Sequence, residues 1–237
     1  MISEERKSEI RKNLSEIFDN IEKAKCDDRK VVLLAATKTR TPEEINFLAE
    51  CGVTHIGENK VQELMDKYDA IDKDRFTMHF IGSLQTNKVK YIIDKVSMIE
   101  SVDRFDLAKE INKQALKHDL VMDVLLEVNV GGEESKSGVE PDKALELARE
   151  IAALPGLRLR GVMTIPPICV DVEKQKEYFR RIVGIFNDIS SAEIENTKMD
   201  YLSFGMSGDY EAAVSCGANI VRVGTGIFGA RDYSKKN

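Results

Sequence analysis

The sequence predicts a (β/α)8 barrel of the TIM type with an extra N-terminal helix. Three observations lead there. Short β-leaning runs recur along the chain, charged segments at helical period separate them, and the 237 residues approach the roughly 250 typical of such barrels. Pro and Gly are sparse and no low-complexity linker interrupts the pattern, so residues 1–237 read as a single barrel domain. A doubly wound open sheet is the competing topology. It leads one to expect a Gly-x-Gly-x-x-Gly turn after the first strand, and the sequence has none there.

The elements follow in order. Ile2 to about Lys25 forms an amphipathic helix ahead of the first strand. Strands are expected at Val31–Thr37, Thr54–Gly57, Met78–Gly82, Ser97–Glu100, Asp123–Asn129, Leu157–Met163, Tyr201–Gly205 and Ile220–Val223. The first of these is apolar enough for a parallel sheet covered on both faces. Between strands, "TPEEINFLAECG" has a Thr-x-x-Glu capping box at Thr41 to Glu44 and a glycine stop at Gly52. "EPDKALELAREIAALPG" has Pro141 near its first turn and ends at Pro155-Gly156. "SGDYEAAVSCGA" is a helix with Ser207 as its N-cap and Gly217 as its stop.

Composition narrows the function classes. The apolar fraction of 42% can bury a full core, and 35 basic against 41 acidic residues give a charge of −6 with both signs interspersed. Nucleic-acid binding would call for a basic face, so no nucleic-acid partner is expected. "MISEERKSEIRKN" lacks the apolar core of a signal peptide, and no apolar run nears the ~20 residues of a membrane helix. Cys26, Cys51, Cys169 and Cys216 are scattered, as are His55, His79 and His118. The expectation is a cytoplasmic protein with buried, reduced thiols, no metal site and no membrane partner.

A (β/α)8 barrel gathers its chemistry at the C-terminal ends of its strands. Strand 1 delivers Lys38, and strand 2 "GEN" with Glu58 and Asn59. Strand 3 carries His79, with Gln85, Asn87 and Lys88 beyond it; strand 5 ends at Asn129, and strand 6 in "MTIPP". Strand 7 delivers Ser207, and strand 8 Arg222, Gly224 and Thr225. Loops after strands 7 and 8 often form a phosphate site, and glycine amides with a hydroxyl suit phosphate oxygens. A partly desolvated lysine opposite such a cup can attack carbonyls. That pairing fits pyridoxal 5′-phosphate (PLP) or the phosphorylated sugar of a class I aldolase, and barrel logic alone does not separate the two.

Seven motifs in order do separate them. "ATKT", "GENKVQE", "HFIGSLQTNK", "EVNVGGEESKSG", "GVMTIPP", "LSFGMSGDYEAAV" and "VRVGTGIFG" resemble the pyridoxal phosphate homeostasis protein family, the YggS-like proteins, from about Val31 to Gly229. Met78 departs from the tryptophan that many members carry before "HFIG", a change expected to touch packing more than chemistry. The resemblance implies a fold like the N-terminal barrel of alanine racemase, with PLP held as a Schiff base. By motif, Lys38 matches the Schiff-base lysine, and Ser207, Gly224 and Thr225 match phosphate ligands. Arg222 matches the arginine facing the pyridine nitrogen, and Asn59 a position near the cofactor.

Arg222 has a chemical consequence. Enzymes that use the PLP ring as an electron sink place a carboxylate at its nitrogen, whereas a guanidinium only donates a hydrogen bond. Alanine racemase works with such an arginine because a lysine and a tyrosine serve as two bases. Its tyrosine comes from a separate C-terminal domain, and this chain is expected to end soon after strand 8. Tyr68, Tyr91, Tyr178, Tyr201, Tyr210 and Tyr233 offer no evident substitute. The favoured reading is a PLP holder for vitamin B6 homeostasis, a monomer or weak dimer without turnover, that passes PLP to acceptor apo-enzymes. Lys136 and Lys88 are read as solvated surface amines that could otherwise relay it. A weak PLP-dependent amino-acid racemase is the alternative. An aldolase is a third, and would use Glu58 as general acid beside Lys38.

Overall fold

A computed structural model describes residues 2–133, 136–167, 169 and 171–230. Eight parallel strands close into a barrel in chain order: β1 Val32–Ala36, β2 His55–Glu58, β3 Thr77–Phe80, β4 Met98–Val102, β5 Met122–Glu127, β6 Leu157–Met163, β7 Thr197–Met206 and β8 Ile220–Val223. β8 returns to pair with β1 through Val32 and Ile220, so no edge is left open. The helices are α1 Glu4–Ala24, α2 Pro42–Glu50, α3 Val61–Lys67, α4 Phe105–Lys117, α5 Ala144–Ala152, α6 Val172–Ser191, α7 Tyr210–Ser215 and α8 Thr225–Phe228.

Strand alternation divides the core. On β1, Leu33 and Ala35 pack outward with helix residues such as Ile10, Leu14, Ile45 and Leu48 in the main cluster. Leu34 and Ala36 point the other way and meet Ile81 and Ile220 inside the barrel. Met98, Leu125 and Met163 fill a second interior cluster. Met78, at the position of the expected departure from tryptophan, is buried in the outer cluster.

Local signals account for the element ends. α2 has both halves of its capping box, Thr41 Oγ1 accepting from the Glu44 amide and Glu44 accepting from the Thr41 amide. α1 is capped by Ser3, and its face of Ile10, Leu14, Ile17 and Ile21 is buried.

Four expectations are corrected. Ser207 is not a helix N-cap: α7 begins at Tyr210 with Asp209 at the cap position. The Asp209 carboxylate closes the preceding turn on the Met206 amide at 2.6 Å, which leaves Ser207 in the turn with its hydroxyl directed elsewhere. β7 begins at Thr197 rather than Tyr201, because its polar first half is held by ion pairs. Arg160 bridges Asp200 and Asp123 there, at 2.5 Å to Asp123. Between β3 and β4 the chain forms a 3-10 helix, Thr86–Tyr91, where strand–helix alternation predicts an α-helix. Finally, none of the four cysteines is buried; Cys26 is exposed and Cys51, Cys169 and Cys216 are half-buried. Among the described residues, no helix is long and apolar enough to cross a membrane.

Candidate functional site

A cavity of about 290 Å³ opens at the C-terminal ends of the strands. Lys38, Asn59, Ser207, Arg222, Gly224 and Thr225 all line it, with Ala36, Ile81, Ile165, Met206 and Gly208 supplying the rest of its wall. The six residues named from the sequence, scattered over nearly 190 positions, therefore converge on one mouth.

Lys38 follows β1 on the inward-pointing phase of the strand, two residues after Ala36. The next residue, Thr39, has φ 66°, a left-handed conformation that β-branched side chains resist. Its amide is tied to Glu63 Oε2 of α3 at 3.0 Å. Behind the loop, Thr37 is buried; its hydroxyl donates to Glu58, and its carbonyl accepts from Lys67 Nζ at 2.8 Å. Lys67 also pairs with Glu58 at 2.5 Å. Burial pushes the Glu58 carboxyl above its usual range, and the Lys67 and Thr37 contacts only partly oppose this. Glu58 thus faces the outer layer and α3 rather than the cavity wall, which removes the carboxylic acid that an aldolase would need beside Lys38.

Asn59 follows β2 directly, with its side-chain oxygen buried and without a hydrogen-bond partner. Its backbone lies so close to Gly82 that a side chain there would collide with the Asn59 carbonyl. Gly82 is therefore what lets Asn59 sit at the wall. An acceptor oxygen left unmatched in a cavity wall is suited to a donor arriving from a ligand.

On the opposite wall, Ser207 Oγ accepts from the amides of Gly224 and Gly226 at 3.2 and 3.1 Å. These amides precede and begin α8, so the turn presents N–H groups to an oxygen. A hydroxyl oxygen already satisfies the same donors that a phosphate oxygen would use.

Arg222 lies deeper, fully buried, with its guanidinium spanning the barrel interior. Nη1 donates to the Ser203 carbonyl at 2.9 Å and to Ser203 Oγ at 2.7 Å, and Nη2 to the Thr164 carbonyl at 2.8 Å. Its counter-charge is Glu100, 4.0 Å from Nη1. Glu100 in turn accepts from Ser203 Oγ and is bonded to His79 Nδ1, each at 2.6 Å. Burial pushes Glu100 up, but the His79 and Ser203 hydrogen bonds and the Arg222 charge outweigh it and hold the carboxyl below its usual range. Burial lowers the Arg222 pKa, opposed by Glu100, Glu127 and Asp209. Glu127, buried at the end of β5, is pushed up to about 7 by burial and the Asp103 charge, against Arg222 and Arg104.

Sequence reasoning missed this supporting network. It placed His79 in a strand but gave Glu100, Ser203 and Glu127 no role. The available signal was a carboxylate embedded in an apolar run, in "SMIES" and "LLEVN".

Among the described residues, no tyrosine lines the cavity, although Tyr201 packs on the barrel-interior cluster beneath it. Tyr210 receives a hydrogen bond from Asn20, Tyr201 packs under Arg160, Tyr68 under Lys73 and Lys95, Tyr91 under Lys88 and Lys90, and Tyr178 against the main core. Tyr233 lies outside the described residues. Lys136 pairs with Glu133 at 2.7 Å. Among the described residues, no group of His, Cys, Asp and Glu could hold a metal ion.

The chain belongs to the family described as alanine racemase, N-terminal domain, whose model matches residues 8–232. Within it, this chain falls among the pyridoxal phosphate homeostasis proteins: that of Aquifex aeolicus is 45% identical over 225 residues, spanning 93% of this chain and 97% of the relative. Two solved structures extend the likeness. A protein of unknown role from Bifidobacterium adolescentis is 37% identical with a TM-score of 0.92, covering 96% of this chain and 98% of that one. PipY of Synechococcus elongatus, solved with PLP bound, is 26% identical with a TM-score of 0.82, covering 93% of this chain and 100% of PipY.

Proposed function

We propose that this chain holds PLP in the barrel mouth through Lys38 and serves PLP homeostasis in the cytoplasm without turnover of its own. The observation that carries the reading is the convergence of Lys38, Asn59, Ser207, Arg222, Gly224 and Thr225 on one cavity. The donor set fits the cofactor's parts. When bound, PLP supplies an aldehyde that an amine can take up reversibly and a ring that can withdraw electrons.

Each residue has a distinct task. Lys38 is the amine that takes the aldehyde, held in place by the Thr39 backbone and Glu63. Ser207, Gly224 and Thr225 receive the phosphate through a hydroxyl and backbone amides. Arg222 donates to the ring nitrogen and, as a cation without an acceptor, does not lend it a proton. Ser203, Thr164 and Glu100 fix the plane of that guanidinium. Asn59 offers its free oxygen to a donor on the ring edge.

The holder reading is favoured over a racemase because, among the described residues, no tyrosine lines the cavity that Lys38 lines, where a second base would be needed. Release then passes PLP to acceptor apo-enzymes. The test is an absorbance spectrum with PLP, for wild type and Lys38→Ala, followed by addition of L-alanine. A visible band in wild type alone, with L-alanine left unracemised, is the expected result. A band that survives in Lys38→Ala removes Lys38 as the anchor, and D-alanine formed at enzyme-like rates removes the holder.

A further inference from the structure

α1 stands outside the barrel repeat, and two of its polar side chains meet the end of α8 while a third meets α7. Arg6 Nη2 donates to the Phe228 carbonyl at 2.9 Å, and Asn13 Nδ2 to the Ile227 carbonyl at 3.0 Å. Asn20 Nδ2 reaches the Tyr210 hydroxyl at 3.1 Å. Arg6, Asn13 and Asn20 are spaced seven apart and so share one face of the helix. On that face Ile17 lies under Gly226, its Cδ1 3.6 Å from where a side chain would begin. One helix face therefore backs residues 226–228 of the turn whose amides point at Ser207.

Arg6 also reaches the other half of the mouth. Its Nε and Nη2 bind Glu44 Oε1 at 2.8 and 2.7 Å, and Glu44 closes the capping box of the helix that follows Lys38. Nη1 binds Glu9 at 2.7 Å. From the Lys38 loop, Arg40 lies over the Phe228 ring at 4.9 Å and donates to the Gly229 carbonyl at 3.4 Å. Two guanidiniums thus grip the last carbonyls of a four-residue helix, where cations are favoured and no further turn exists to satisfy them.

We propose that α1 is a clasp on the phosphate end of the site, with Arg6 as its positioning residue, and that it sets how firmly the PLP phosphate is retained. The proposal depends on the PLP reading above. Arg6 touches no part of the cavity, so it acts by fixing the 224–228 turn. Without it, the Phe228 carbonyl and Glu44 lose a shared cation, and the amides of Gly224 and Gly226 lose their rigid backing.

The test compares PLP with pyridoxal, which lacks the phosphate. Dissociation constants for both are read from the visible band in wild type, Arg6→Ala, Asn13→Ala and Lys25→Ala, each well below its melting temperature. Lys25 pairs with Glu22 at the far end of the same helix and serves as the control. Arg6→Ala is expected to weaken PLP about tenfold while moving pyridoxal less than about twofold, as loss of one charge-assisted contact implies. Asn13→Ala is expected to weaken PLP about threefold in the same selective way, and it carries the test if Arg6→Ala does not fold. Equal losses for PLP and pyridoxal overturn the proposal, because they mark general destabilisation; so does an unchanged PLP constant. Wild-type protein with no Lys38-dependent band overturns the PLP reading itself, and the clasp with it.

Discussion

The two halves of the barrel mouth are built differently. From β7 through β8 and β1 to β2, the cavity is lined by residues just past the strand ends: Ser207, Gly224, Lys38 and Asn59 in loops, and Thr225 at the start of α8. From β3 to β6 the polar groups are locked inside strands: His79, Glu100 and Glu127, with Thr164 one residue past β6. The first half places at the cavity the Lys38 amine, a turn whose amides bind Ser207 Oγ, and the Asn59 oxygen that has no hydrogen-bond partner. The second presents its charges to Arg222, which spans the two. One half therefore carries the residues of the proposed binding, and the other holds that half's deepest cation in position. Substitutions in each should fail in different ways.

The largest effect is expected at Lys38. Lys38→Ala should abolish the visible band with PLP while leaving the melting temperature within a few degrees of wild type, since its side chain lines a cavity rather than a packed core. A collapse of stability would mean that the binding half is also structural, and the contrast between halves would be lost.

Glu100→Ala tests the other half. Removing it leaves the buried Arg222 without its counter-charge and leaves His79 and Ser203 without their shared acceptor. A loss of about 3–5 kcal/mol in denaturant unfolding is expected. A loss below about 1 kcal/mol would show that the Ser203 and Thr164 contacts, with the charges of Glu127 and Asp209, hold Arg222 without Glu100.

The same contrast explains what could be read from the sequence. Strand runs such as Leu157–Met163 and Ile220–Val223 match the structure at both ends, because apolar β-rich segments between glycine and charged stretches leave little choice. The loop residues that meet at the cavity were legible only in combination, since a lone lysine is by default half of an ion pair and a single glycine a turn, whereas two glycine loops after strands 7 and 8 and the ordered motifs pick them out together. The supporting half was not. Glu100 and Glu127 look like strand-end carboxylates, and only closure of the barrel brings Glu100 to Ser203, 103 positions away. Ser207 was misassigned as a cap for a related reason: local spacing suggests a helix start, whereas its hydroxyl is engaged by amides at the start of α8, 17 and 19 residues on.

Glu127 gives a smaller, pH-dependent effect. Its carboxyl stands at about 7 in the folded protein against 4.5 ordinarily, raised by burial. The folded state then binds more protons than the unfolded one between these values, so this group's contribution to stability falls as pH rises from about 4.5 to 7 and levels off above. The loss is on the order of 2–3 kcal/mol. Unfolding measured at pH 5 and pH 7.5 should show that difference shrink in Glu127→Gln. An unchanged difference would assign the pH dependence to other groups.

The smallest effect is expected at Thr39, and it bears most directly on how the binding half works. A β-branched residue at φ 66° costs about 1–2 kcal/mol, which Glu63 helps to hold in place through the Thr39 amide. Thr39→Gly keeps that amide and removes the strain, but it frees more backbone in the unfolded chain, about 0.5–1 kcal/mol in the opposite direction. Stability should therefore change by less than about 1 kcal/mol. The glycine also loosens the loop that aims Lys38, so PLP should bind a few-fold more weakly and dissociate faster. If strain beside Lys38 serves orientation, affinity falls while stability holds or rises. A clear loss of stability with affinity intact would instead make Thr39 part of the packing, and the division between a half that binds and a half that supports would no longer run between β2 and β3.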